Sequence, residues 1–274
     1  MQTPKSILLH LDSSARTAER IKVAGELAEA FEAEVTGQPC TLSALVRYPF
    51  AIEAAGEAVA IMQEIDKGAR DRMYAAFMAN SAGARRLRWA EPQSDGPLGF
   101  ARRALYADLL ILGQRDRNGP MQGELPGDFL PSLLVQSGRP ALVLPYAGPI
   151  RPIGRTVLVA WKETREAARA VSAALPWLRT ASRVHAVAYG EDAQASLQDL
   201  QNYLRVQGVR NLELHPGGGD DESAGSRLLS FSADLSADLL VMGCYGHGRA
   251  REWVLGGATK SILQSMTLPV LMSH

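Results

Sequence analysis

Glycines carry the pattern in this chain whose spacing points most directly to chemistry. Gly243-Cys244-Tyr245-Gly246-His247 follows a short apolar run, and Gly256-Gly257-Ala258-Thr259 follows nine residues after Gly246. Glycines at 243 and 246 permit a tight turn and close approach of a ligand to the backbone. Residues 259–266 read as an amphipathic helix, and unpaired N–H groups at a helix start favour an anion such as phosphate. His247, Arg249 and Arg251 are either cations that reach such an anion or solvated loop side chains. Cys244 is either a thiol activated by the nearby helix terminus or an inert small residue in a turn. In the first case, its oxidation or alkylation hinders ligand binding. Trp161 either stacks on a base or packs at a strand end.

The elements that must position this loop are short apolar runs separated by amphipathic stretches. In the first half the runs fall at residues 7–11, 34–37, 86–89, 108–112 and 141–144. In the second they fall at 156–160, 184–188, 211–214, 238–242 and 270–272. Runs of this kind suit parallel strands buried on both faces. Residues 16–31 and 163–180 place Ala, Ile, Val, Leu and Phe at three- and four-residue spacing and are predicted helices. Alternation of strand and helix predicts βαβ units and a parallel sheet.

The pattern repeats. Ala107-Asp108-Leu109-Leu110-Ile111-Leu112-Gly113 matches Ala237-Asp238-Leu239-Leu240-Val241-Met242-Gly243, and Ile7 matches Val157. A period this long indicates a duplicated domain rather than a solenoid. The Pro- and Gly-rich stretch at 146–152 is the expected linker, which gives domains 1–147 and 153–274. The first half is longer between its first and fourth strands. The surplus falls in residues 41–82, an Ala/Met/Glu-rich stretch predicted to be one long helix.

With strand, loop, helix and repeat in place, the chain resembles the universal stress protein (UspA) family in its tandem form. Gly243, Gly246 and Gly256 fit the family's Gly-x2-Gly-x9-Gly-[Ser/Thr] ATP signature, and Leu268-Pro269-Val270-Leu271 resembles its last strand. Gly257 stands where the family has Ser or Thr, with Thr259 one turn on. Lys162 stands where it has an Asp at the end of the first strand. The first half keeps that carboxylate as Asp12. Its fourth-strand loop, Gly113-Gln114-Arg115-Asp116, lacks the second glycine, so its phosphate loop is degenerate.

The resemblance implies two flavodoxin- or Rossmann-like domains, each a five-stranded parallel sheet in the order 3-2-1-4-5 flanked by helices. It implies an adenine-nucleotide site (ATP, ADP or AMP, with Mg2+ as a companion) at the switch point of the C-terminal domain. The implied contacts are Ala160, Trp161 and Lys162 on one side. Met242, Gly243, Tyr245, Gly246, Gly256, Gly257, Ala258 and Thr259 lie on the other. The halves are expected to pair within one chain through residues 140–144 and 268–272, and a homodimer is compatible with that. Two rival readings stay open: a nucleotide-independent interaction or scaffold protein in stress signalling, and a slow nucleotide hydrolase.

Composition narrows the classes. Lys plus Arg number 29 and Asp plus Glu number 29, so no net charge draws the chain to nucleic acid. The two cysteines, Cys40 and Cys244, suggest neither a disulfide framework nor a zinc site. The run at 7–11 is too short for a signal h-region, and no apolar stretch nears the roughly 18 residues of a membrane span. A cytoplasmic protein is expected. No Walker loop, H-E-x-x-H, G-x-S-x-G or pyrophosphatase loop is present, so no catalytic residue is assigned. Gly217-Gly218-Gly219-Asp220-Asp221-Glu222 reads as a flexible turn into a capped helix.

Overall fold

The computed structural model describes residues 3–50, 56–92, 96–116, 124–149, 152–217, 224–246 and 257–274. Two compact units divide between Arg139 and Pro140.

In the first unit, β1 (Ser6–Leu11) leads to α1 (Thr17–Phe31), β2 (Glu34–Pro39), α2 (Ala44–Arg47) and α3 (Glu57–Asn80). Then come β3 (Leu87–Trp89), α4 (Pro97–Ala104), β4 (Leu109–Gly113) and α5 (Phe129–Gln136). Its strands are parallel in the order β3-β2-β1-β4, with Ile7 opposite both Val35 and Leu109. Ile7, Leu8, Leu9 and Leu11 are all buried, as expected of a strand covered on both faces.

The second unit begins with β5 (Ala141–Leu144). It continues through β6 (Thr156–Ala160), α6 (Arg165–Leu178), β7 (Arg183–Tyr189), α7 (Ala193–Val206) and β8 (Leu212–Gly217). It ends with α8 (Ala224–Asp234), β9 (Leu239–Gly243), α9 (Gly257–Ser265) and β10 (Val270–Ser273). The order is β8-β7-β6-β9-β10, so the expected 3-2-1-4-5 arrangement holds for the second half. These five strands are parallel, and β5 adds antiparallel to β10 with Leu142 opposite Leu271.

The repeated Ala-Asp-Leu-Leu motif has a local purpose. Asp108 Oδ2 accepts the backbone N–H groups of Lys5 and Ser6 at 2.9 and 3.0 Å. Asp238 accepts those of Gly154, Arg155 and Thr156 at 2.7 to 3.1 Å. In each half one carboxylate thus satisfies the unpaired donors where the first strand begins, and pins it to the fourth.

Residues 41–82 do not form one helix. Ser43 caps the four-residue α2, Pro49 follows it, and the long helix starts only at Glu57. Proline disfavours helical backbone in the residue before it, which separates the two pieces. Helix α3 buries Ala69, Met73 and Phe77, a stripe at four-residue spacing. A Cβ on Gly37 of β2 would stand 2.7 Å from the Phe77 ring, so the glycine lets that ring lie on the sheet. Ile61, Ile65, Tyr74 and Met78 stay exposed on α3, as do Val46, Tyr48 and Phe50 before it. Of the triglycine turn at 217–222, Gly217 ends β8 and the rest lies outside the described residues.

Candidate functional site

The carboxyl ends of β6 and β9 lie side by side, with Ala160 opposite Met242. That register sets the turn that carries Trp161 and Lys162 and the turn that carries Gly243, Tyr245 and Gly246 at the ends of neighbouring strands. Thr164 then starts α6 by accepting the Ala167 N–H at 3.3 Å. The loop after β9 lies directly on that helix start. A Cβ on Gly243 would stand 2.5 Å from the Ala167 nitrogen and 2.8 Å from the Glu166 carbonyl carbon, so only glycine fits.

Gly246 plays a different part from the one the motif suggests. Its φ is not positive; among the described residues of the loop the left-handed one is Tyr245, at φ 56°. A Cβ on Gly246 would instead meet Glu166 Oε2 at 3.1 Å. The Tyr245 hydroxyl is buried with no hydrogen-bond partner among the described residues, and burial pushes its pKa up. Trp161 donates its indole N–H to Ser196 on α7 at 2.9 Å, which ties one edge of the ring to that helix. Lys162 is exposed. Gly257 opens α9, two residues before the expected helix start; Ala258 is half-buried and Thr259 buried. Gly256, His247, Arg249 and Arg251 lie outside the described residues.

Of the two readings of Cys244 the inert one fits the structure, and Glu166 is a residue that the sequence did not single out. Cys244 is not an activated thiol. It is 1% exposed, its N–H is bonded to Ser273 O at 2.9 Å, and burial pushes the thiol up to about 12, with Glu166 adding to the rise. Glu166 was not read as a site residue, yet it is buried beneath Gly246. Burial alone would raise its pKa. The Arg165 Nε–H, donated at 2.6 Å, together with the residue's own N–H, the Arg165 charge and the Thr164 hydroxyl, holds it below the usual range. The sequence offered little sign of this. A first-turn glutamate is ordinary dipole compensation, and its burial comes from the tertiary approach of the loop.

The matching corner of the first half is filled by side chains. Arg20 is 3% exposed and donates to Asp12 Oδ1 at 2.6 Å and to Thr17 Oγ1 at 2.7 Å. Ser14 and Thr17 donate to the same carboxylate oxygen. Burial opposes the Asp12 charge, but the Arg20 guanidinium and these bonds hold the carboxyl far below its usual range. A Cβ on Gly113 would collide with Arg20 Nη1. His10, against Phe100 and Phe129, is lowered to about 4 by burial. The Ser13 hydroxyl donates to buried Glu124. A cleft of about 270 Å3 opens away from this corner, past β2, lined by Pro39, Leu42, Ser43, Asp66, Met73 and Pro97 among others. No helix among the described residues is long and apolar enough to cross a membrane.

Comparison with known proteins fits this geometry. No family model matches the chain. A universal stress protein of Synechocystis sp. is 29% identical over 175 residues, which is 60% of this chain and 57% of that relative. The crystal structure of a universal stress protein from Archaeoglobus fulgidus covers 99% of this chain and 96% of its own at 16% identity, with a TM-score of 0.73. A functionally unknown protein from Pseudomonas aeruginosa covers 99% and 93% at 15% identity, with a TM-score of 0.63. The chain thus resembles a universal stress protein in sequence over 60% of its length, and along almost its whole length it has the fold of a universal stress protein structure.

Proposed function

We propose that the chain binds one adenine nucleotide, ATP or a relative, in its second half. The phosphates lie against the backbone of Gly243–Gly246 and the start of α9 at Gly257, Ala258 and Thr259. The nucleoside lies beyond Ala160, Trp161 and Lys162. The observation that carries this reading is the glycine-only approach of the β9 loop to the start of α6. It sets loop backbone against helix backbone at the switch point of the sheet, where ligands of such folds bind. Glu166 beneath the loop is offset by Arg165, and it gives an accompanying Mg2+ a nearby carboxylate. Native mass spectrometry of the purified chain tests the reading: a retained nucleotide supports it, and an empty chain that gives no heat with ATP, ADP or AMP overturns it.

A second reading, a nucleotide-independent interaction module, draws on the exposed apolar side chains of α3 and the segment before it. Pairing of the two halves through their last strands, and a homodimer, belong to the same proposal. Separately expressed residues 1–147 and 153–274 that ignore one another would count against the pairing.

A further inference from the structure

We propose that His185, Glu213 and His215 form a binding site for a divalent transition metal, with Zn2+ the reference ion. The site lies on the β7–β8 side of the second unit. His185 is the third residue of β7, away from the carboxyl-end corner described above. Glu213 and His215 are two apart on β8, so both side chains stand on one face of the sheet. His185 is opposite Glu213 in register, which puts its ring on that same face.

The three donors converge. His185 Nδ1 lies 3.1 Å from His215 Nε2 and 3.4 Å from Glu213 Oε2, and all three donor atoms fall within 4.8 Å of one another. Zn–N and Zn–O bonds of roughly 2.0–2.1 Å at tetrahedral angles separate their ligands by about 3.3 Å. The two spacings from His185 lie on either side of that value, and the third stays within 4.8 Å. Two imidazoles and a carboxylate are a donor set that suits zinc and its neighbours rather than magnesium or calcium. His185 is buried and fixed, and the Phe231 ring of α8 meets His215 edge-on at 5.0 Å and holds its plane. Glu213, with its side chain 67% exposed, leaves a way in from solvent. Three protein ligands leave a fourth position for water or an outside donor. A bound ion would clasp β8 to β7, where β8 ends the order of strands in its unit.

The competing account is a plain hydrogen bond between the two histidines. Titration of the untagged, chelator-treated full chain with Zn2+ by calorimetry, and with Co2+ by visible absorption, separates them. One ion per chain and the intense d–d bands of low-coordinate cobalt are expected. His215→Ala and His185→Gln should each weaken binding by about tenfold or more, since even outer partners of a metal site are worth 10–100-fold. Glu213→Gln should weaken it less, and His274→Gln should leave it unchanged. If His185→Gln fails to fold, His215→Ala and Glu213→Gln carry the test. No stoichiometric uptake of either ion, or binding unaffected by loss of His215, would overturn the proposal.

Discussion

The two halves solve the same corner of the same fold in opposite ways. In the first, the space between the ends of β1 and β4 is filled by a buried ion pair, with the Arg20 guanidinium packed over Gly113 and bonded to Asp12. In the second, the equivalent strand ends carry Lys162 and a loop that rests on helix backbone through Gly243. A glycine stands at the end of the fourth strand in both halves. In one it makes room for a side chain, and in the other for a main chain. A duplicated domain can thus keep the order of its first four strands while one copy fills this corner with charged side chains and the other closes it with backbone.

The comparison breaks most visibly at Arg20. Removing one partner of a buried ion pair strands the other, a loss of about 3–5 kcal/mol. Arg20→Met should cost that much in chemical denaturation, whereas Glu166→Gln should cost under about 1 kcal/mol, because its partner Arg165 is largely exposed. Equal losses would show that the two corners are built alike after all.

The next effect is a pH dependence that the first corner contributes. Folding holds His10 at about 4, below its ordinary 6.5. Between those values the unfolded chain binds a proton that the folded one does not, so stability falls as pH drops from 6.5 to 4. The full loss is about 3 kcal/mol at 1.36 kcal/mol per unit. His185 is also held low by burial and adds its own slope. The difference between wild type and His10→Gln isolates His10, and parallel stability profiles from pH 7 to 4 would refute the assignment. The depressed Asp12 acts further down, contributing stability that is lost only as pH falls below the ordinary carboxylate range.

Gly243 sharpens the contrast on the other side. Gly243→Ala forces a Cβ into the backbone of Glu166 and Ala167, an overpacking cost of about 2 kcal/mol. The loop must lift from α6, so ATP affinity should fall by about tenfold or more, at roughly 1.4 kcal/mol per decade. Calorimetry showing undiminished affinity would mean that nucleotide does not rest on this loop.

These features were unequally legible in the sequence. The strands and the repeat follow from apolar runs, because such patterns are set by burial within each strand, whereas the strand order, and with it the juxtaposition of Ala160 with Met242, is implied only by the resemblance to a family. Asp108 and Asp238 were visible as a repeated motif, but not as clamps on the first strands, since their partners are backbone groups more than 80 residues away. Residues 41–82 misled because composition favours helix throughout while Pro49 interrupts it. In the turn after β9 the left-handed backbone belongs to Tyr245, not to Gly246. The motif fixes where glycines are needed, not whether conformation or close packing needs them. Arg20 and Glu166 gave no signal, because a charged residue in a first helical turn is ordinary until a neighbouring loop buries it.

The smallest expected effect concerns Glu166. Its carboxylate lies beneath Gly246, so phosphates resting on the loop would approach a negative charge. Arg165 offsets part of that charge, and water offsets more. At about 5 Å and an effective dielectric between those of a protein surface and water, the remaining repulsion is about 0.5–1 kcal/mol. In EDTA, Glu166→Gln should therefore tighten ADP binding by about two- to fivefold. With Mg2+ present the carboxylate faces a cation instead, and the gain should vanish or reverse. Calorimetric titration of wild type and variant under both conditions reads the sign directly. An affinity change of the same sign and size with and without Mg2+ would mean that Glu166 only supports the loop. Unchanged affinity in both would place the phosphates elsewhere.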